Sequence, residues 1–123
     1  MHALVVDDSR TVRKILSEYL KALGFEVTVA VNGRDALDRL TGMEKADVVL
    51  VDWNMPEMDG IAFVRAVRAK SHYAALPVMM VTTNTELARV SEALEAGANE
   101  YIMKPCTAEM IREKLELLGF TPS

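Results

Sequence analysis

The sequence predicts an α/β domain in three layers, with a five-stranded parallel sheet between two layers of helices. Two observations support this fold class. Short apolar runs rich in β-branched residues alternate with segments whose apolar residues recur at helical spacing. The runs also begin about 20–30 residues apart, roughly the length of one strand–helix–strand unit. Five strands that alternate with five helices, joined by right-handed crossovers, give a three-layer α/β domain.

Five apolar runs mark the strands. The clearest is residues 48–51, an unbroken apolar run that stops at the carboxylate of Asp52. A run of this kind is typical of a parallel strand that is covered on both faces. The other strands are predicted over residues 3–7, 26–30 and 101–103, and from Pro77 onward.

Capping residues and apolar periodicity predict the helices between the strands. Ser9, Asp59 and Thr107 are expected to cap the first, third and fifth helices. Residues 32–33 could form a hairpin turn. Apolar residues follow them at helical spacing, however, so we favour a second helix that ends at Gly42.

Two helices have inward faces that can be named from the sequence. In the first helix the apolar stripe is Val12, Ile15, Leu16, Tyr19, Leu20 and Leu23. The fourth helix is predicted over residues 85–96, with the inward residues Leu87, Val90 and Leu94.

The composition indicates a soluble, cytoplasmic protein. Residues 1–123 are expected to form one domain, with no separate output domain. A net charge of −4 argues against nucleic acid or an anionic membrane as the main partner. The single cysteine, Cys106, cannot form an internal disulfide, which fits a reducing compartment. The first apolar run stops at Asp7 and is too short for a signal peptide or a membrane span.

Polar side chains follow four of the predicted strands. In chain order they are Asp7 and Asp8, then Asp52, Thr82 and Lys104. In an open parallel sheet the carboxyl ends of the strands lie along one edge, where ligands bind. We therefore expect the acids, the hydroxyl and the lysine to meet there.

The acids at this edge indicate a site for a hard cation. Carboxylates so close together either raise a pKa or recruit a cation, and a few carboxylates with water suit Mg²⁺. One carboxylate could then act as a nucleophile and form an acyl phosphate. Lys104 would offer a point charge and Thr82 a hydrogen-bond donor to the phosphoryl oxygens. These parts match the chemistry of phosphoryl transfer.

Over essentially its whole length, the chain resembles the receiver domain of two-component response regulators. The residues that carry the resemblance are Asp7-Asp8, Asp52, the run Met55-Pro56-x-Met58-Asp59-Gly60, Thr82 and Lys104-Pro105. Within the family, residues 52–56 and 104–107 are most similar to the single-domain chemotaxis response regulators. The resemblance implies a flavodoxin-like fold with strand order 2-1-3-4-5.

The resemblance also implies the role of each site residue. Asp52 would be the phosphoacceptor, and Thr82 and Lys104 would contact the phosphoryl group. The Mg²⁺ ligands would be Asp7 or Asp8 or both, Asp52 and the backbone carbonyl of Asn54. The Lys104–Pro105 peptide bond would be cis.

Signalling partners are implied as well. A histidine kinase or phosphotransfer protein would supply the phosphoryl group. Thr82 would then shift toward the site and Tyr101 would turn inward, which would reshape the face of the fourth helix, fifth strand and fifth helix for a downstream protein. The chain would be a switch rather than an enzyme, acting as a monomer or as a phosphorylation-dependent dimer.

Several positions depart from the family pattern or flank the site. Thr83 is larger than usual and could crowd access to Asp52. Cys106 replaces an aromatic residue and is expected to be an inert thiol. Trp53 is expected to be partly exposed and not catalytic. Asn54 and Asn84 lie where the family tunes hydrolysis of the phosphoryl group.

Other functions are compatible with the same fold class. A small Mg²⁺-dependent phosphatase with an aspartyl nucleophile typically needs a second acid two residues later, and that position holds Asn54. A docking scaffold would bind its partner equally well with and without phosphorylation. A nucleotide-binding module is disfavoured, because the sequence has neither a G-x-G-x-x-G nor a Walker A motif.

Overall fold

The computed structural model describes residues 1–83 and 89–121 of the chain. In its first half, β1 is His2–Val6, α1 is Arg10–Ala22, β2 is Glu26–Ala30, α2 is Gly33–Gly42, β3 is Val48–Asp52 and α3 is Gly60–Arg68. A short 3-10 helix, Ser71–Tyr73, is followed by β4 at Val78–Thr82, α4 at Val90–Ala96, β5 at Glu100–Met103 and α5 at Ala108–Leu117. The predicted alternation of strands and helices is confirmed.

The strands form one parallel sheet in the order β2-β1-β3-β4-β5. The order implied by the family resemblance is therefore confirmed. In the register of the sheet, Val6 lies beside Val51, and Thr82 lies beside Met103. Strand ends that are far apart in sequence thus arrive at one edge together.

Helices cover both faces of the sheet, and each face has its own core. On one face α1 and α5 pack on alternate strand residues, among them Val5 and Leu50. On the other face α2, α3 and α4 pack on the intervening residues, among them Leu4 and Val49. Because successive side chains of a strand point to opposite faces, unbroken apolar strands supply both cores.

Side-chain caps fix where the helices begin. Ser9, Asp59 and Thr107 each accept a hydrogen bond from the N–H three residues later, at 3.3, 2.9 and 3.2 Å, as predicted. Asn32 does the same for α2 at 2.8 Å, so residues 32–33 begin a helix rather than a hairpin, as predicted. Within the described ranges, no helix has both the length and the apolar character needed to cross a membrane.

Two residues predicted to face inward are exposed instead. Ile15 is 40% exposed and Leu94 is 43% exposed. In each helix the neighbouring residue, Leu16 or Ala93, is buried against the sheet, which turns the predicted residue toward solvent. The small Ala93 lets α4 lie close to the sheet without Leu94. The predicted start of the fourth helix at residue 85, and Leu87, lie outside the described residues.

Candidate functional site

The carboxyl ends of the strands bring the predicted polar residues to one edge. Asp7 directly follows β1, and Asp52 and Thr82 are the last residues of β3 and β4. Lys104 directly follows β5, and its backbone N–H donates to the carbonyl of Thr82 at 2.7 Å. The peptide bond between Lys104 and Pro105 is cis, as the family resemblance implies.

One ammonium group contacts two carboxylates at this edge. Lys104 Nζ lies 3.0 Å from Asp52 Oδ1 and 3.2 Å from Asp7 Oδ2. Asp7 is only 1% exposed and Asp52 only 6%. Because both acids are withdrawn from water, their contacts with Lys104 are little screened. Lys104 therefore holds the ends of β1 and β3 together electrostatically.

The acids form a cluster whose composition fits Mg²⁺. Asp7, Asp8 and Asp52 each offer a carboxylate oxygen, and these oxygens all lie within 4.8 Å of one another. Asp7 Oδ1 accepts a hydrogen bond from the Ser9 N–H at 2.8 Å. Within the described residues, the buried Oδ2 of Asp7 accepts no hydrogen bond and has only its ionic contact with Lys104. A buried carboxylate oxygen with spare acceptor capacity, beside the exposed Asp8, is suited to a hard cation.

Burial makes the carboxyl of Asp52 a weaker acid than usual. Desolvation raises the pKa of Asp52 from 3.8 to about 6; the hydrogen bond from Lys104 opposes this rise and the charge of Asp7 adds to it. Burial alone would lower the pKa of the Lys104 ammonium, but its contacts with Asp52 and Asp7 raise that pKa above the usual value. Lys104 is therefore a permanent cation, and Asp52 is mostly ionised at neutral pH.

The residue after Asp52 is more buried than predicted. Trp53 is 2% exposed, so the expectation of a partly exposed indole is wrong. Its ring packs in the core beneath α3, and its backbone N–H donates to Asp52 Oδ1 at 2.9 Å. The Trp53 carbonyl in turn accepts from the Gly60 N–H at 2.9 Å. These two backbone hydrogen bonds hold the Asp52 carboxylate in its orientation.

Gly60 stands where no side chain fits. A Cβ on this residue would lie 2.5 Å from the carbonyl oxygen of Asp52 and 2.8 Å from Met80 Cε. The start of α3 can therefore approach the end of β3 only because residue 60 is glycine. This close approach explains why the run of residues 55–60 ends in glycine.

The remaining predicted residues differ in where they lie. Thr82 is fully buried, and its hydroxyl donates to the carbonyl of Thr83 at 3.3 Å. Asn54 is exposed in the loop after β3, and Asn84 lies outside the described residues. Tyr101 lies apart, on β5, and its ring is half-buried. The Lys114 ammonium lies over this ring, 4.9 Å from its centroid. The structure thus assembles Asp7, Asp8, Asp52 and Lys104, and leaves Tyr101 on the adjoining face.

Two arginines near the site were missed by sequence reasoning. Arg13 donates from Nη1 to the backbone carbonyl of Asp7 at 2.7 Å. Arg89 places its guanidinium carbon 4.8 Å from the centroid of the Trp53 ring. Neither contact follows from periodicity, because each depends on how a helix lies relative to the sheet.

Cys106 has the character of an inert thiol. It is half-buried, and burial raises its pKa above the usual value. Since the thiolate is the reactive form, this shift lowers the reactivity of the sulfur at neutral pH.

The chain is similar to a well-populated group of known proteins. Residues 3–116 match the response regulator receiver domain family. The chain is 48% identical over 117 residues to a chemotaxis protein CheY homolog of Campylobacter jejuni, covering 94% of this chain and 90% of the relative. It is 44% identical over 119 residues to chemotaxis protein CheY1 of Helicobacter pylori, covering 96% of each.

A solved structure agrees with the sequence relatives. The structure of Vibrio cholerae chemotaxis protein CheY4 is similar to this one with a TM-score of 0.88 and 37% sequence identity. The match covers 95% of this chain and 97% of that protein.

Proposed function

The chain belongs to the response regulator receiver domain family, and on that premise we propose that it is a two-component signalling switch that is phosphorylated on Asp52. The phosphoryl donor is a partner histidine kinase or phosphotransfer protein. The proposal is carried by one observation: a single ammonium, on Lys104, contacts both the candidate nucleophile Asp52 and the candidate metal ligand Asp7.

The transfer is an in-line displacement at phosphorus. A carboxylate oxygen of Asp52 forms a bond to the phosphorus as the bond to the histidine nitrogen breaks, and the imidazole leaves with the electron pair of that bond. The product is an acyl phosphate. Burial raises the pKa of Asp52 to about 6, which makes its carboxylate more basic than a solvated one and still largely ionised at neutral pH.

Charge at the reacting group is managed by Lys104 and by a cation. Lys104 is already beside Asp52, so its ammonium needs only a small shift to contact the transferred phosphoryl oxygens. Asp7, Asp8, Asp52 and the backbone carbonyl of Asn54 would hold Mg²⁺, which supplies the positive charge that lets an anionic donor approach the acids.

The buried hydroxyl of Thr82 responds to the phosphoryl group by contacting it. Thr82 moves toward the phosphoryl oxygens, exchanging its long hydrogen bond to the Thr83 carbonyl for a charge-assisted one. Tyr101, on the neighbouring strand, turns into the space that Thr82 vacates. The face formed by α4, β5 and α5 then changes shape and binds a downstream protein. Because the relatives are chemotaxis proteins, control of motility or a related phosphorelay is the expected setting.

Intact mass spectrometry tests this proposal. The protein is incubated with acetyl phosphate and Mg²⁺, with and without a chelator, beside the variant Asp52→Asn. A gain of one phosphoryl group that requires both Mg²⁺ and Asp52 is the expected result. An equal gain in Asp52→Asn would overturn the assignment of the phosphoacceptor.

A further inference from the structure

Arg89, directly before α4, makes two side-chain contacts that bear on the switch. It directly precedes Val90, the first residue of α4, and its side chain makes no capping hydrogen bond among the described residues. The first contact is an ion pair with Glu92, in which Arg89 Nε donates to Oε2 at 3.2 Å and Nη2 donates to Oε1 at 3.4 Å.

The second contact is with the residue next to the phosphoacceptor. Its guanidinium carbon lies 4.8 Å from the centroid of Trp53, within the range of a cation–π interaction. The indole is buried in the core, and the guanidinium lies against its ring. The contact joins the end of β3 to the beginning of α4, across 36 residues of sequence.

The same tryptophan senses the charge on Asp52. The backbone N–H of Trp53 donates to Asp52 Oδ1 at 2.9 Å. A hydrogen bond to a charged acceptor is about twice as strong as one to a neutral acceptor. When Asp52 becomes an acyl phosphate, one carboxylate oxygen is bonded to phosphorus and the negative charge resides on the phosphoryl oxygens. The other oxygen of Asp52 is then a neutral carbonyl acceptor. The bond that fixes the Trp53 backbone is thereby weakened.

From these contacts we propose that Arg89 is a positioning residue that couples the phosphorylation state of Asp52 to α4 through Trp53. A change at Asp52 relaxes Trp53, the indole changes its position under the guanidinium, and the first turn of α4 follows. This inference rests on the proposed function, because it needs Asp52 to be phosphorylated. It adds to that function a specific connection between the site and the switching face.

The test measures coupling separately from phosphorylation. Intact mass after treatment with acetyl phosphate and Mg²⁺ records whether each variant accepts the phosphoryl group. Amide hydrogen exchange over residues 90–96, with and without beryllium fluoride and Mg²⁺ as a stable phosphoryl analogue, records the response of α4. Trp53 is the single tryptophan of the chain, so selectively excited tryptophan fluorescence records this indole alone.

Arg89→Met keeps the length of the side chain and removes its charge. We expect it to take up the phosphoryl group as the wild type does, while the exchange response of residues 90–96 falls about two- to fivefold, the factor that corresponds to one cation–π contact. Arg89→Lys, which keeps a cation, restores most of the response. Glu92→Gln removes the ion pair but keeps the ring contact, and is expected to behave like the wild type.

The outcomes separate the two proposals. If the wild type takes up no phosphoryl group, the proposed function fails and this inference fails with it. If Arg89→Met is phosphorylated normally and the exchange and fluorescence responses equal those of the wild type, only the coupling role of Arg89 is overturned. A reduced response that Arg89→Lys does not restore would likewise overturn it, because the loss would then not depend on the cation.

Discussion

Lys104 Nζ lies 3.0 Å from Asp52 Oδ1, and this pair joins the ends of two strands whose residues are 52 positions apart in the sequence. The same ammonium reaches Asp7, so one cation serves two buried acids. With the exposed Asp8, the cluster has three carboxylates and one ammonium, a formal charge of −3 + 1 = −2 when all are ionised. A divalent cation would neutralise that charge, which links the stability of this edge to metal binding.

Asp52→Asn should stabilise the metal-free protein. Its folded-state pKa of about 6 lies above the unfolded value of 3.8, so its favourable contribution is present below pH 4 and is lost as the pH rises through 6. At pH 7.5 the ionised side chain costs at most about 3 kcal/mol, by the conversion of 1.36 kcal/mol per pKa unit. Urea unfolding of both proteins in chelator should show Asp52→Asn as the more stable at pH 7.5, with the difference shrinking toward pH 4.5. Asp38→Asn, at an exposed carboxylate on α2, is the control for the loss of one negative charge.

Lys104→Met should make the acid cluster bind Mg²⁺ more tightly while impairing phosphorylation. The ammonium repels an incoming cation, and removing a charge a few ångströms away strengthens metal binding by about tenfold, after screening. Titration of Mg²⁺ at pH 8, followed by Trp53 fluorescence, measures the affinity, and mass spectrometry measures the phosphoryl uptake. Lys45→Met, which removes an exposed lysine paired with Asp47, serves as the control. Weaker Mg²⁺ binding in Lys104→Met would show that the lysine does not compete with the metal.

Gly60→Ala should distort the end of β3. The new Cβ would press on the carbonyl oxygen of Asp52 at 2.5 Å, and backbone cannot yield as a flexible side chain can. We expect a loss of about 1–3 kcal/mol in the free energy of unfolding and slower phosphorylation. Gly42→Ala is the matched control, because a Cβ there meets nothing within 4 Å, and it should be neutral or slightly stabilising. Equal stabilities for the two variants would contradict the close approach of α3 to β3.

Much of the site could be predicted because it follows from the strands. Asp7, Asp52, Thr82 and Lys104 each end or follow an apolar run, and parallel topology alone brings such positions to one edge. The burial of Trp53 could not be predicted in this way, because it depends on how α3 and α4 cover the strand end. The exposure of Leu94 has a similar cause, since α4 packs through the small Ala93.

The contact of Arg89 with Trp53 could not be predicted from the sequence either. Sequence reasoning can find residues that share a strand end, since the strand fixes their place. It does not find a residue on one helix that meets the side chain of a distant strand, because that meeting depends on the tilt and distance of the helix. The helical positions around the site were for this reason the least predictable part.

Reductive trapping tests the central claim, an acyl phosphate on Asp52, most directly. The protein is treated with acetyl phosphate and Mg²⁺, then with borohydride, which reduces an acyl phosphate to an alcohol and leaves free carboxylates unchanged. Peptide mapping by mass spectrometry then locates the residue that has become homoserine. We predict homoserine at position 52 alone, and none in the presence of a chelator. Homoserine at position 7 or 8, or none at all while Mg²⁺ is bound, would contradict the claim.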